Sequence, residues 1–345
     1  MSKKIAVVIL NWNGCAMMRR FLPSVVKGSS EEAEVVVADN GSTDDSCAML
    51  QEEFPEVRLI RFSKNYGFAE GYNRALAQVD ARYYLLLNSD VEVEEGWLRP
   101  MLAFMETHDD VCACQPKLLS YAHRDEFEYA GAAGGYIDRL GYPFCRGRVF
   151  GTVEKDEGQY DSVADILWAS GAALMIRSAA WRKAGGLDGR FFAHQEEIDL
   201  CWRLRNMGQR IVCIPESRVW HVGGASLAQG NPRKTFLNFR NNLAMLFKNL
   251  PEEELRPVLR LRYWLDRLAA LQFFLKGDAA NARAVFKGRR AFKEWRKELA
   301  EDRKKIQAES KSTDIVGRTR FSLLWQYYGR GRKTFSALPG GRKET

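Results

Sequence analysis

The sequence has no long hydrophobic run and no arrangement of cysteine and histidine that is typical of a structural metal site. None of its segments approaches the roughly 18 uninterrupted apolar residues that a membrane-spanning helix requires. The apolar run at residues 5–10 is too short for a signal peptide, so we expect a cytoplasmic chain. The seven cysteines include no Cys-x-x-Cys pair, and only four histidines are present. This pattern excludes the common zinc motifs and predicts reduced thiols.

The glycine-rich motifs that bind phosphate are also missing. The chain contains neither the Gly-Lys-Ser/Thr end of a Walker A loop nor Gly-x-Gly-x-x-Gly. Enzymes that transfer a nucleotidyl group to a sugar phosphate carry a glycine-rich loop with arginine after their first strand. This chain has Asn11-Trp12-Asn13-Gly14 there, which disfavours that class.

The net charge of +8 is distributed unevenly. Residues 251–345 contain 23 Lys and Arg against 12 Asp and Glu, whereas residues 1–250 contain 29 against 32. A near-neutral body with a basic C-terminal part favours an anionic partner surface, either a membrane or a nucleic acid. A solvated helical face is the ordinary alternative.

Apolar runs alternate with helical patterns over the first 90 residues. Such alternation predicts an α/β fold with a mostly parallel sheet and right-handed crossovers. The predicted strands are residues 5–10, 35–38, 57–62 and 83–87, and the predicted helices are residues 17–26, a helix starting near 42, and 71–79.

The second part of the chain is less regular. We expect loops and short strands over residues 117–161, which could cover a substrate. The later predicted elements are a strand-like run at 164–177 broken by Ser170-Gly171, helices at 179–184 and 196–207, a strand at 211–215, and basic helices beyond residue 236.

Two aspartates follow predicted strands. Asp39 ends the second strand, and Asp90 follows the buried run at 83–87. The carboxyl ends of parallel strands face one crevice, so both side chains are candidates for binding a nucleotide or a metal. On local grounds each could equally be a turn or capping residue.

Glu196 and Glu197 begin a predicted helix with different orientations. At about 100° per residue, Glu197 lies within the apolar arc, whereas Glu196 shares the opposite face with Asp199 and Arg203. An inward carboxylate at a helix start is either a general base with a tuned pKa or a cap of its own helix.

Three other positions are candidates with ordinary alternatives. His221 follows an apolar run and could complete an oxygen-rich magnesium or manganese site with Asp90. Trp168 beside Gly171 could stack on a sugar, although a core tryptophan is the default. The turn at residues 64–73 contains Gly67 and precedes a helix, so its backbone could approach a phosphate.

The order of these motifs resembles the family-2 glycosyltransferases, which have a GT-A fold, and especially their rhamnosyltransferase-like branch. The resemblance covers roughly residues 4–245. Its segments are Val7 to Gly14, Val37 to Asp44, Asn65 to Ala69 with Gly71 and Asn73, Leu87 to Val91, Ser170 to Ala172, Gly185 to Asp188, Glu196 to Arg203, and His221.

The resemblance implies roles for the matching positions. Asp90 would hold a divalent cation, Mg²⁺ or Mn²⁺, on a nucleotide diphosphate with the help of His221, and Glu197 would deprotonate the acceptor hydroxyl, with Glu196 beside it. The donor-binding set would be Asn11, Asn13, Asp39, Asn40, Lys64, Asn65, Gly67, Asn73, Asn88 and Asp90. Trp168 and Gly171 would line the acceptor or donor-sugar pocket. The chain departs from the family with Asn88 in place of an aspartate and Glu197 in place of an aspartate.

The implied enzyme is a metal-dependent, inverting hexosyltransferase. Its donor would be dTDP-rhamnose or a UDP-sugar, and its acceptor a saccharide or lipid-linked saccharide of a cell-surface polysaccharide pathway. A catalytically silent sugar-nucleotide binder is the alternative. A nucleic-acid-binding protein ranks lower because the tail carries no recognised nucleic-acid motif.

The predicted domains are a catalytic domain at residues 1–245 and a basic helical region at 246–345. Trp264, Leu268, Leu271 and Leu275 form an apolar stripe at helical spacing, surrounded by basic residues. This favours an anionic membrane surface on the inner face of the plasma membrane. Packing on the catalytic domain or on a second copy of the chain is the alternative.

Overall fold

The computed structural model describes residues 3–29, 31–223 and 230–341. The helices are α1 Cys15–Ser29, α2 Ser46–Glu53, α3 Gly67–Leu76, α4 Leu98–Thr107, α5 Ser178–Ala184, α6 Glu196–Asn206, α7 Pro232–Asn249, α8 Glu252–Leu275 and α9 Ala279–Glu309. The strands are β1 Ile5–Asn11, β2 Ala33–Asp39, β3 Arg58–Arg61, β4 Tyr83–Leu87, β5 Val91–Val93, β6 Val111–Ser120, β7 Gly135–Ile137, β8 Pro143–Cys145, β9 Arg148–Val149, β10 Thr152–Val153, β11 Ala164–Asp165, β12 Ala173–Arg177 and β13 Arg210–His221.

A nine-stranded sheet forms the centre of the molecule. Its order is β11-β13-β6-β12-β4-β1-β2-β3, and β5 pairs with β13. The strands β4, β1, β2 and β3 are parallel neighbours, as the alternation of strands and helices predicts. The strand β12 runs antiparallel between β4 and β6. The fold is the mixed α/β architecture predicted from the sequence.

The central strands are apolar on both sides because helices cover both faces of the sheet. Along β1, Ala6 and Val8 pack into one hydrophobic core, while Ile5, Val7 and Ile9 pack into the other. All five are buried. Continuous apolar runs such as residues 5–10 and 83–87 follow directly from this two-sided burial.

Several predicted boundaries differ from the structure. The helix expected near residue 42 begins at Ser46, because Asp44 accepts hydrogen bonds from the backbone N–H of both Ser46 and Cys15. The helix expected at 71–79 is α3, which starts four residues earlier. The strand expected to end at Pro215 continues to His221, and a register shift between Ile214 and Arg218 accommodates the polar residues between them.

Residues 117–161 contain the loops and short strands that were expected. The strands β7, β8, β9 and β10 form a separate four-stranded sheet. Lys117 is fully buried, and its ammonium lies 2.8 Å from Asp156 Oδ2 and also contacts Asp161. This buried ion pairing fastens the segment to the end of β6.

The C-terminal helices pack on the rest of the chain. The helix α7 packs along α9 and also against α6. The boundary expected at 245/246 lies inside α7. No helix in the described residues is long and apolar enough to cross a membrane.

Candidate active site

The carboxyl ends of β1, β2 and β4 meet at one edge of the sheet. Asn11 and Asp39 are register partners at the ends of β1 and β2. The strand β4 lies on the other side of β1 and leads into Asn88 and Asp90. The sheet therefore brings the two predicted aspartates to a common edge, as the reasoning from strand ends expected.

Asp39 accepts hydrogen bonds from two residues at this edge of the sheet. Its Oδ1 accepts a hydrogen bond from Asn11 Nδ2 at 3.2 Å, and its Oδ2 accepts one from Ser42 N at 3.0 Å. Asn13 joins the same network, because its backbone N–H donates to Ser42 Oγ at 2.8 Å. Asn11 is fully buried, and its Oδ1 has no hydrogen-bond partner. A buried, unpartnered amide oxygen favours binding of a donor group from a ligand.

The turn before α3 differs from the open phosphate site suggested by its glycine. Asn65 Oδ1 accepts from Gly67 N at 2.7 Å, and Asn40 Oδ1 accepts from Tyr66 N at 3.0 Å. The N–H groups of Phe68 and Ala69 donate to the carbonyl of Phe192. These first N–H groups of α3 are therefore hydrogen-bonded within the protein in this structure. The phosphate-binding role of the turn stays a prediction.

The other predicted residues of this turn contact neighbouring parts of the protein. Gly67 has φ +80°, and a Cβ there would lie 2.5 Å from the ring of Phe192. Asn73 donates to the carbonyl of Leu187 at 2.7 Å and accepts from its N–H at 3.0 Å. Its amide is thus used inside the protein and is not directed to a donor, contrary to expectation. Lys64 is exposed, and its ammonium lies 5.2 Å from the ring centroid of Tyr66.

Asp90 and His221 are brought together by the pairing of β5 with β13. His221 pairs with Val91 in that ladder, so it lies beside the residue that follows Asp90. His221 Nε2 lies 3.1 Å from Asp90 Oδ1 and 3.2 Å from Asn88 Nδ2. Both Asp90 and His221 are buried. The structure thus joins these two predicted ligands over 131 residues of sequence.

Glu128 is a third member of this cluster, and the sequence reasoning missed it. Its Oε1 lies 3.3 Å from His221 Nδ1, on the opposite side of the imidazole from Asp90. Burial by itself lowers the pKa of His221, but the facing carboxylates of Glu128 and Asp90 outweigh burial and raise this pKa to about 10. Glu128 belongs to the irregular segment 117–161, where no periodic pattern marks a functional position.

The Asp90 and His221 pair fits a divalent cation. In this structure the two donor atoms form a hydrogen-bonded pair 3.1 Å apart, and a carboxylate oxygen beside an imidazole nitrogen is a donor set that could hold Mg²⁺ or Mn²⁺. Glu128 would orient the imidazole through its other nitrogen. Within the described residues, no group of three or more Cys, His, Asp or Glu converges as a complete metal site. Ligand phosphates and water would have to supply the remaining positions, as is usual for Mg²⁺.

Glu196 and Glu197 open α6 in different environments. Glu196 is buried, whereas Glu197 is partly exposed and lies against Gly171, with 3.9 Å between its Cβ and the position of a Cβ on that glycine. The Oε2 atoms of both carboxyl groups are buried and lack hydrogen-bond partners. Burial raises the pKa of both residues, and that of Glu197 reaches about 7, although backbone N–H groups at the helix start oppose the shift. A carboxyl with these properties can accept a proton near neutral pH.

Glu197 lies near the end of β4. Asn88 N donates to the carbonyl of Ala172 at 3.0 Å, and the neighbouring Gly171 lies beside Glu197. A Cβ at Gly171 would lie 3.2 Å from the ring of Phe68, so the glycine allows this ring to pack close to the backbone. Trp168 is 2 % exposed, and its Nε1 donates to the carbonyl of Tyr136 at 2.9 Å. In this structure it is a core residue and offers no open ring face for sugar stacking.

The loop before α6 has an unusual backbone that α7 holds in place. Phe192, His194 and Gln195 have φ of 66°, 70° and 73°, which is rare for residues other than glycine. Asn241 of α7 is fully buried, and its Nδ2 lies within 3.0 Å of the carbonyls of Phe191, Ala193 and His194. The helix α7, which spans the predicted domain boundary, therefore supports the loop that leads to Glu197.

Comparison with known proteins agrees with this architecture. Residues 6–153 match the profile of Glycosyl transferase family 2. N-acetylglucosaminyl-diphospho-decaprenol L-rhamnosyltransferase of Mycobacterium tuberculosis is 28 % identical over 239 residues, which cover 64 % of this chain and 76 % of that protein. The first part of the chain thus matches family 2 of the glycosyltransferases, and the chain is similar to a rhamnosyltransferase.

Two solved structures have a similar fold. GalNAc-T7 with UDP, GalNAc and Mn²⁺ superposes with a TM-score of 0.58 at 16 % identity, covering 87 % of this chain and 57 % of that one. TarS 1–349 of S. aureus in complex with UDP-GlcNAc gives a TM-score of 0.53 at 16 % identity, covering 95 % of this chain and 92 % of that one. The fold is of the GT-A type.

Proposed function

We propose that this glycosyltransferase moves a sugar, with inversion, from a nucleotide diphosphate sugar to a hydroxyl group of a saccharide or lipid-linked saccharide. The observation that supports the proposal is the buried pair of Asp90 and His221 at the carboxyl edge of the sheet, with Glu197 beside Gly171, next to the Ala172 carbonyl that accepts from Asn88 N. The first two residues fit a cation on a diphosphate, and the third fits a general base.

The residues would divide the reaction between them. Asp39 and Asn11 would bind the nucleoside, Asn11 through its unpartnered Oδ1. Glu197 would remove the proton of the acceptor hydroxyl as that oxygen attacks the anomeric carbon and the bond to the nucleotide diphosphate breaks. Asp90 and His221 would hold Mg²⁺ or Mn²⁺, which offsets negative charge on the departing diphosphate.

The donor and acceptor are inferred from the relatives. A related protein from Mycobacterium tuberculosis is named as an L-rhamnosyltransferase acting on a diphospho-decaprenol-linked sugar. We therefore propose dTDP-rhamnose as the first donor to test, with UDP-sugars next, and a lipid-linked saccharide of cell-envelope polysaccharide synthesis as the acceptor. Such an acceptor would be met on the inner face of the plasma membrane by a peripherally bound enzyme.

The test is calorimetric titration of dTDP- and UDP-sugars into the protein with and without Mn²⁺. We expect one donor to bind in a metal-dependent manner, and Asp90→Ala to lose that binding. The matched control is Asp45→Ala, because Asp45 is an exposed aspartate outside this cluster. Metal-dependent binding without turnover on any acceptor would favour the silent sugar-nucleotide binder, and absence of binding by a folded sample to every donor would contradict the proposal.

A further inference from the structure

The helix α8 carries an apolar face that the rest of the chain leaves uncovered. The exposed fractions of Trp264, Leu268, Leu271 and Leu275 are 67 %, 62 %, 50 % and 76 %. These residues repeat at i, i+4, i+7 and i+11, so they lie along one side of the helix. Packing on the catalytic domain, one of the alternatives for this stripe, is therefore not what the structure shows.

The opposite side of α8 is fixed firmly to the protein. Arg262 and Asp266 are buried, with 3.1 Å between Arg262 Nε and Asp266 Oδ1. Arg289 of α9 contacts Asp266 and donates to the carbonyl of Arg262 at 3.2 Å. The helix is thus held rigidly by its polar side, and its apolar side faces outward.

Within residues 255–293 the exposed charges are all positive. Exposed acids lie just outside this stretch, at Glu252 and Glu253 and at Glu294, which pairs with Arg290 at 3.2 Å. In the fully described stretch from residue 255 to 293, the two acids are Asp266, which is buried, and Asp278, which is half-buried. The exposed charged residues of the same stretch are Arg256, Arg260, Lys276, Arg283, Lys287, Arg290 and Lys293. Between residues 261 and 275 every exposed residue is uncharged, so the cations border the apolar stripe without interrupting it.

We propose that this face, Leu261 to Leu275 with its bordering cations, docks the protein on an anionic lipid bilayer. The argument is charge complementarity combined with apolar burial. Tryptophan and leucine side chains enter the headgroup region, and each lysine or arginine near an anionic surface adds electrostatic attraction. A second copy of the chain would present the same cations and would be repelled by them.

The docked helix is connected to the loop that precedes the base. Arg262 of α8 donates to Asn242 of α7, and Asn242 Nδ2 donates to Gln195 Oε1 at 3.1 Å. Gln195 immediately precedes Glu196 and Glu197. Docking through α8 would hold the site close to the bilayer, where the sugar of a lipid-linked acceptor lies. This orientation rests on the proposed function, whereas docking itself does not.

The experiment measures binding of the full chain to vesicles of phosphatidylcholine with phosphatidylglycerol and to vesicles of phosphatidylcholine alone. We expect binding to the anionic vesicles that weakens as salt is raised. Trp264→Ser with Leu268→Ser should reduce it about tenfold or more, since two buried apolar side chains are lost. Arg260→Glu with Lys276→Glu should reduce it and remove most of its salt dependence.

Matched controls are Val163→Ser, an exposed apolar residue elsewhere, and Lys183→Glu, an exposed cation on α5. Both should bind vesicles like the original protein. Absence of anionic-vesicle binding, or equal binding by the Trp264 and Leu268 variant, would overturn the proposal. A dimer in sedimentation equilibrium that this variant converts to a monomer would assign the face to a second copy instead.

Sugar transfer to a water-soluble acceptor is measured on the same samples. If vesicles bind and no transfer occurs, the docking face stands and the proposed function fails. If transfer occurs and the vesicles do not bind, the proposed function stands and the docking proposal fails.

Discussion

Two adjacent glutamates at the start of α6, Glu196 and Glu197, are the candidates for the general base. Glu197 lies beside Gly171, near the end of β4, and Glu196 is buried next to it. Two adjacent carboxyl groups with raised pKa would each be a reasonable base on electrostatic grounds alone. Their surroundings separate them, because Glu196 is buried whereas Glu197 is partly exposed and lies beside Gly171.

Glu197→Gln should therefore abolish transfer while retaining donor binding. We expect the turnover rate to fall about 10² to 10⁴-fold, the usual contribution of a general base, with an unchanged dissociation constant for the donor. Steady-state kinetics and calorimetry check this. The matched variant is Glu196→Gln, which should keep most of the turnover; if it loses as much as Glu197→Gln, the assignment of the base is wrong.

The raised pKa of Glu197 also predicts opposite effects of pH on activity and stability. Transfer should increase as pH rises through about 7, because the unprotonated carboxylate is the active form. A carboxyl whose pKa is raised by folding binds its proton more tightly in the folded state. Its contribution to stability is therefore complete below the unfolded value of 4.5 and is lost as pH rises toward 7.

Urea unfolding of the original protein and of Glu197→Gln at pH 5 and pH 8 measures this effect. The variant should be more stable than the original protein at pH 8, and the difference should shrink at pH 5. An equal difference at both values of pH would show that the pKa of Glu197 is not raised by folding.

At the scale of elements, helix α7 holds the loop before α6 in its conformation. The side chain of Asn241 donates hydrogen bonds to carbonyl groups of the loop before α6. In this loop Phe192, His194 and Gln195 have left-handed backbone conformations. Such conformations cost about 1–3 kcal/mol each and persist only when the surroundings hold them. The helix that follows this loop presents Glu197, so the position of this proposed base depends on α7.

Asn241→Ala should lower the turnover rate with little change in the donor's KM. A displacement of the base of about 1 Å can cost about 100-fold in rate. The matched control is Asn281→Ala, since Asn281 is equally buried and donates to the carbonyl of Gly230 at 2.7 Å, away from this loop. The control should lose stability but keep its turnover rate; equal loss of rate in both would indicate a general effect of destabilisation.

At the scale of the whole molecule, a buried ionic cluster joins the C-terminal helices to the sheet-bearing part. Lys248 of α7 lies 2.9 Å from Asp188 Oδ2 and 2.8 Å from Asp199 Oδ2, and all three are almost completely buried. Arg203 and Asn249 also bind Asp199. We propose that residues on both sides of the expected 245/246 boundary fold as one unit.

Lys248→Met should destabilise the whole chain by about 3–5 kcal/mol, because it leaves two buried carboxylates without their shared cation. Urea unfolding followed by both circular dichroism and tryptophan fluorescence measures this, and one transition is expected by both probes. Lys183→Met, at an exposed lysine, should change stability by less than about 0.5 kcal/mol. Separate transitions for the two parts of the chain would contradict a single folding unit.

The sequence by itself determined the fold class, the strand ends that carry Asp39 and Asp90, and the likeness to family 2 of the glycosyltransferases. These follow from local information: buried strands are continuous apolar runs, and their carboxyl ends are marked by the polar residues that follow. The helix phase predicted from the sequence was wrong for Glu196 and Glu197. The structure buries Glu196 together with Asp199 and Arg203, and it leaves Glu197 partly exposed. Other parts of the chain cover α6 on both of its faces, and the sequence of the helix does not show this cover.

Only the tertiary structure decided how distant residues meet. Glu128, Asn241 and Lys248 carry no local signal, and their roles arise from contacts made across 93, 48 and 60 residues with His221, Ala193 and Asp188. The turn at Gly67 and the ring of Trp168 had suitable chemistry for ligands, but their polar groups are taken by the protein itself. A polar group that forms a hydrogen bond inside the protein is no longer free to bind a ligand. Which groups remain free therefore depends on all the contacts of the folded chain.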